Sequence, residues 1–245
     1  MADSEKQKYS DLKIPQHVVI IPDGNRRWAR NHHLPESVGH EKGVEAIKII
    51  VEAAYGLKIS CLSFWGASID NLVKRPAREI RVINKLFENS FKQLVKNEEI
   101  HQNKVRVRVL GEWETLLNEG TKKAIRSAIN STEGYDSFSL NFLIAYDGKT
   151  EMISTIQKIT QKIKSNPEII VTPELVKENL YTCDLPPVDL VIRTGEEPHL
   201  SAGFMMWELS DSQLFFSDKC WPDFTDDNFK EAIVDFTERE RRLGR

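Results

Sequence analysis

No apolar run in this 245-residue chain approaches the roughly 18 residues needed to cross a bilayer. The polar opening MADSEKQKYS also lacks the apolar core of a secretion signal. The expected location is therefore the cytoplasm, with no transmembrane segment and at most peripheral membrane contact. A strong excess of one charge is missing too. The formal net charge of -3 argues against nucleic-acid binding and confines any anion site to a local arginine cluster. Cysteine is scarce: Cys61, Cys183 and Cys220 form no CxxC and leave an odd count, so they read as reduced thiols rather than a disulfide framework or a zinc site. There is no GxxxxGK loop and no GxGxxG fingerprint, which disfavours a nucleotide ligand. No repeat or low-complexity linker divides the chain, so residues 1–245 are expected to form one domain with a flexible stretch at 1–14.

What is present is alternation. With 40% hydrophobic and 29% charged residues, the composition suits a soluble α/β domain with a sizeable core. HVVII at 17–21 reads as a buried strand, and CLSFW, KVRVRVLG, SLNFLIAY, VDLVIRT and SQLFF read as five more. Between them lie helical patterns. Val44, Ile47, Ile50, Val51 and Ala54 share one side of a first long helix, and Ile80, Ile83, Phe87, Phe91 and Leu94 share one side of a second. A last helix starts at an N-cap Thr225, with Phe224 and Phe229 placed for a hydrophobic staple. The expected fold is one mostly parallel six-stranded sheet flanked by helices on both faces.

In such sheets ligands gather at the carboxyl ends of the strands. Strand one ends in Asp23-Gly24-Asn25-Arg26-Arg27, strand two runs into Ser68-Ile69-Asp70-Asn71, and strand five ends in Arg193-Thr194-Gly195. Brought together, these ends make a cleft of guanidinium groups, small polar side chains and one carboxylate. Guanidinium forks match phosphate oxygens, and an aspartate among them suggests Mg²⁺ bridging to a diphosphate. Taken singly, a DG pair is an ordinary turn and paired arginines are ordinarily solvated.

The order of motifs is more specific. DGNRRWAR, VGHEKG, SIDN with KRPAREI, DLVIRTGE and QLFFSDKCWPDF resemble, in sequence and spacing, the cis-prenyltransferase family, which includes undecaprenyl diphosphate synthase. The resemblance implies a homodimeric or heteromeric α/β enzyme, a homodimer being expected here, with a hydrophobic tunnel, joining isopentenyl diphosphate to an allylic diphosphate with Mg²⁺. By that resemblance Asp23 handles the metal, Gly24, Asn25, Arg26 and Arg27 cradle the allylic diphosphate, Trp28 packs beside it and Arg75 adds charge. His40 would serve phosphate oxygens near the leaving group. Ser68, Asp70 and Asn71 match a polar catalytic stretch, with Asn71 orienting the proton acceptor because an amide is a poor base. Arg193, His199 and Ser201 match the acceptor diphosphate pocket. Arg242 and Gly244 match a C-terminal RxG motif that reaches a neighbouring subunit.

Departures from the family pattern stand beside these matches. Glu36 occupies a position where arginine is usual, Glu196 replaces a glycine, His199 replaces an arginine, and Gln213 stands where a second metal-binding glutamate is expected. Leu143 and Ile144 replace small residues. If they narrow the tunnel, products of roughly two to four isoprene units are expected, because packed cores resist added methylenes. Three other readings stay open: irregular condensation with dimethylallyl diphosphate as acceptor, a noncatalytic subunit of a heteromeric enzyme, and an unrelated phosphate-binding module.

Overall fold

A computed structural model describes residues 13–239, so the expected flexibility of 1–14 and the Arg242–Gly244 motif fall mostly or wholly outside the described residues. Strand β1 (His17–Ile21) is buried along its whole length. It pairs in parallel with β2 (Cys61–Ala67) on one side and β5 (Leu190–Arg193) on the other. Beyond β2 lie β4 (Phe138–Ile144) and then β3 (Val105–Leu110); beyond β5 lies β6 (Gln213–Phe216). The order is β3-β4-β2-β1-β5-β6, and every pair is parallel. The chain passes from β1 to β2 on one side and later returns to β5 on the other, which puts the carboxyl end of β1 at the topological switch point where ligands collect.

The helices follow in chain order: α1 (Asn25–Asn31), α2 (Glu36–Gly56), α3 (Ile69–Val73), α4 (Ala77–Val95), α5 (Glu98–Gln102), α6 (Trp113–Leu116), α7 (Glu119–Thr132), α8 (Gly148–Ser165), α9 (Pro173–Asn179) and α10 (Asp226–Glu238). The sequence pattern fails to show α1, because its seven residues carry too little apolar periodicity to stand out from a charged loop. Thr225 caps α10 as expected, in a capping box with Asn228, over a fully buried Phe224 and Phe229.

Alternation along the strands splits the core in two. Val18, Ile20, Leu62, Phe64, Leu140 and Ile144 face one side, beneath α2, α4, α7 and α10. Val19, Ile21, Cys61, Leu143 and Val191 face the other, with Tyr146, Phe204 and Met205. The three cysteines are free thiols. Among the described residues no helix is long and apolar enough to cross a membrane.

Candidate active site

The site begins where β1 stops. Gly24 adopts φ +100°, which turns the chain sharply into α1, and a Cβ there would lie 2.9 Å from the Cys220 Cα. Helix α2 then packs close against α1: a Cβ on Gly39 would meet the Asn25 carbonyl oxygen at 2.1 Å. These contacts hold Asp23, Asn25, Arg26 and Arg27 at the mouth of one large cavity. Asp23 accepts from the Gly24 N–H at 2.6 Å through Oδ1 and from Arg193 Nη2 at 2.8 Å through Oδ2.

Opposite Asp23 stands a second charged group. Glu79, in the first turn of α4, pairs with Arg75 at 2.7 Å, lies 3.9 Å from Arg26 and faces His40 Nε2 at 3.7 Å. Burial is the main force lowering the His40 pKa, and the positive charge of Arg75 lowers it further against the pull of Glu79. The imidazole is therefore neutral at pH 7, and its buried Nε2 makes no hydrogen bond. Ser68 and Asn71 close a capping box on α3: the Asn71 N–H donates to Ser68 Oγ, and Asn71 Oδ1 accepts from the Ser68 N–H. Both residues line the cavity, and the capping bonds engage the Asn71 amide oxygen rather than its NH₂.

On the β5 side, Arg193 is only 5% exposed and ties the site together. Besides Asp23 it donates through Nη1 to the His199 carbonyl at 2.5 Å and to Ser201 Oγ at 3.1 Å, while its buried Nε has no partner. Arg27 reaches the same loop, donating to the Gly195 carbonyl and approaching Glu197 at 3.4 Å. Glu196 sits at φ +57°, which explains why a glycine is the expected residue at that position.

From this charged mouth the cavity, about 810 Å³, runs between α2 and α4 toward the opposite edge of the sheet. Val44, Ile47 and Val51 of α2 face Ile83, Phe87, Phe91 and Leu94 of α4 across it, and Phe138, Val105 and Ile100 close the far end. The helical stripes read from the sequence therefore divide. Ile50 and Ala54 are core at 0% exposure, whereas their neighbours Val44, Ile47 and Val51 are half-buried in a cavity wall. Ile144 lines the cavity and Leu143 does not, being buried on the opposite face of the sheet.

Several expected residues are not gathered here. Trp28 is absent from the cavity wall: it stacks on His32 at 4.2 Å and donates to Asp223 at 2.7 Å. Asp70 forms a surface pair with Lys74. His199 stands at the rim, within 3.1 Å of Ser201 Oγ. Gln213 begins β6 at the amino edge, in register with Leu190, three positions before Phe216 meets Arg193. At about 3.3 Å per residue that is roughly 10 Å from the Arg193 level, so within one chain Gln213 does not join Asp23. Its alignment with a metal-binding glutamate carried no information about which edge of the sheet it occupies. Glu36 turns to Arg30 at 3.8 Å. Sequence reasoning missed Glu79 and Arg30, although the i,i+4 spacing of Arg75 and Glu79 in KRPAREI was a usable signal.

A guanidinium-lined mouth leading into a deep cavity, at the switch point of a parallel sheet, suits a ligand with an anionic head and an apolar tail. The chain belongs to the cis-prenyltransferase family and is a prenyltransferase: residues 21–244 match the family described as "Putative undecaprenyl diphosphate synthase". It is 37% identical over 241 residues to a geranylgeranyl-diphosphate-specific tritrans,polycis-undecaprenyl-diphosphate synthase from Pyrococcus horikoshii, covering 98% of this chain and 90% of that protein. It is 36% identical over 248 residues to a farnesyl-diphosphate-specific ditrans,polycis-undecaprenyl-diphosphate synthase from Lactiplantibacillus plantarum, covering 99% and 94%. Among solved structures it resembles lavandulyl diphosphate synthase from Lavandula x intermedia, solved with dimethylallyl diphosphate. The TM-score is 0.88 at 27% identity, covering 95% of this chain and 99% of that one.

Proposed function

We propose that this chain condenses an allylic diphosphate with isopentenyl diphosphate to give a Z-prenyl diphosphate. The observation that carries the reading is one cavity that joins arginines at the carboxyl edge of β1 and β5 to a wall of Val44, Ile47, Val51, Ile83, Phe87 and Phe91 between α2 and α4. The allylic diphosphate sits at the mouth, against Arg26, Arg27, Arg75 and His40, with its prenyl chain between α2 and α4. As the allylic C–O bond breaks, negative charge grows on the departing diphosphate, and guanidinium groups already fixed by Glu79 and Glu197 stabilise it without reorganising. The apolar walls keep water from the carbocation. Neutral His40 can donate its ring N–H to an oxygen of the departing diphosphate, with no change in its protonation state. Arg193 and Ser201 hold the acceptor diphosphate, and Asn71 orients the oxygen that receives the acceptor's proton.

The donor set suits magnesium. Asp23 is a single carboxylate at the mouth, 40% exposed, and among the described residues no cluster of three or more His, Cys, Asp or Glu could hold a metal alone. Mg²⁺ commonly takes one or two carboxylates and completes its shell with phosphate oxygens and water. Bound between Asp23 and the diphosphate, it would neutralise part of the leaving group's charge.

The expectation of short products rested on Leu143 and Ile144; of the two, Ile144 lines the cavity and Leu143 is buried on the opposite face of the sheet, so only Ile144 bears on product length. We also infer a homodimer. β6 is an edge strand whose last residue, Phe216, is 38% exposed, and Ile153 and Ile156 on α8 are each 58% exposed, apolar surface that a second copy could cover. Arg242 and Gly244 would then reach the partner's site.

The test is turnover. Purified chain with Mg²⁺, farnesyl diphosphate and labelled isopentenyl diphosphate should give a Z-prenyl diphosphate ladder, read by chromatography and mass spectrometry. A branched product from dimethylallyl diphosphate alone would instead support irregular condensation; the similar lavandulyl diphosphate synthase was solved with that diphosphate bound. No product from either mixture would leave a noncatalytic subunit as the better reading.

A further inference from the structure

Five arginines line the cavity mouth, and they are not equally committed. Arg193 is held by Asp23, Ser201 and the His199 carbonyl, Arg75 by Glu79 at 2.7 Å, and Arg27 by the Gly195 carbonyl. Arg30 has one loose partner, Glu36 at 3.8 Å, and its side chain is 65% exposed. Arg26 and Arg30 stand four residues apart on α1, so their side chains lie one above the other on a single helix face. That face borders the cavity at both positions. Arg30 lies in the last turn of α1 and Glu36 in the first turn of α2, where the helix dipoles favour a cation and an anion respectively. Glu36 is also close enough to Arg75 to act on its charge. The acid therefore stands beside two cavity-lining guanidinium groups and holds neither at hydrogen-bonding distance.

We propose that Arg30 is a further diphosphate-binding residue of this site and that Glu36 is its positioning residue, tethering the guanidinium at the mouth until a diphosphate displaces it. This rests on the prenyl-diphosphate reading of the cavity. On an empty site the loose pair keeps a long, exposed side chain from wandering. With a diphosphate present, a guanidinium carrying two charge-assisted donors exchanges a weak carboxylate contact for phosphate oxygens. Arg26 and Arg30 then form a strip along α1 that follows the diphosphate outward from Asp23.

The experiment uses the full chain and two probes, inorganic pyrophosphate with Mg²⁺ and farnesyl diphosphate. Arg30→Ala should weaken pyrophosphate binding by calorimetry and raise the farnesyl diphosphate KM, each roughly tenfold, the low end for a charge-assisted hydrogen bond. The kcat and the melting temperature should change little. Glu36→Gln should give a smaller KM increase of about threefold, reflecting lost orientation rather than a lost donor. The exchange Arg30→Glu with Glu36→Arg should recover most of the affinity lost in Arg30→Glu alone, because a guanidinium again borders the cavity. Wild-type pyrophosphate affinity and KM in Arg30→Ala would overturn the proposal. So would a loss confined to kcat and melting temperature that the exchange does not rescue. Pyrophosphate binding scores Arg30 independently of turnover: tenfold weaker binding in an enzyme that makes no prenyl product would support this site while refuting the proposed reaction.

Discussion

On the face of the sheet beneath α2 and α4, Val44, Ile47, Val51, Phe87 and Leu94 stay half-buried around open space. On the opposite face Leu143, Tyr146, Phe204 and Met205 are at 0–1% exposure, and the polar groups among them find partners. There Tyr146 donates to Glu151 at 2.5 Å, Thr182 reaches both Glu151 and Glu208, and Lys177 pairs with Glu208 at 2.6 Å. Burial raises the Glu151 pKa, consistent with a carboxyl group held in a closed, dry network. His17 bridges the Pro186 carbonyl and Ser63 Oγ, each at 2.8 Å. Alternating residues of the same strands thus build a closed half that supplies stability and an open half that encloses the cavity. A protein can leave a cavity on one face when the other is packed and satisfied.

The sharpest way to break this comparison is on β4, where neighbours face opposite halves. Leu143→Ala should cost about 2–5 kcal/mol of stability by chemical denaturation and leave product length unchanged, because it empties a packed site. Ile144→Ala should cost less and shift products toward longer chains on chromatography. Equal stability losses, or longer products from Leu143→Ala, would mean the two faces are not separate.

Asp23→Asn tests the open half alone. It should reduce turnover about 100-fold or more, ~3 kcal/mol in barrier, with the denaturation midpoint nearly unchanged. Normal turnover would remove Asp23 from the diphosphate machinery.

The closed half should be sensitive to acid. Burial lowers the His17 pKa from 6.5 to about 4, so between those values the unfolded chain binds a proton that the folded chain does not. Stability from this group is complete above pH 6.5 and is lost as pH falls toward 4, by ~3 kcal/mol in all. Urea midpoints of wild type and His17→Gln across that range should converge at low pH, and parallel curves would exclude His17 as the cause.

The smallest effect belongs to the open half. His40 also has a lowered pKa, but a diphosphate beside it would raise that value again. Pyrophosphate binding should therefore take up a proton, and affinity should fall severalfold as pH rises through the window between the free and bound values. Calorimetry in buffers of different ionisation enthalpy checks this, and His40→Gln should abolish the uptake.

The alternation of apolar strands and helical stripes made the six-stranded sheet legible, because strand and helix periods follow directly from backbone geometry. The ordered motifs made Asp23, Arg26, Arg27, His40, Asn71 and Arg193 legible as one site. Helix α1 escaped, since a seven-residue charged helix has almost no apolar period. Glu79 was passed over because its two partners besides Arg75 come from other elements, His40 on α2 and Arg26 on α1. Where Trp28 points could not be read, because a motif shows proximity along the chain and not the direction in which an indole turns.

By itself, then, the sequence determined the strand pattern, the capping of α10 and the charges that meet at the end of β1, all set by local periodicity and chemistry. Tertiary structure alone decided which apolar residues became core and which became wall. Val44 and Ile50 are alike as residues and share one helical stripe, yet Ile50 meets the sheet while Val44 meets open space. That difference depends on how far apart α2 and α4 lie over β2 and β4. The separation is a property of the whole packed assembly, and no local pattern encodes it.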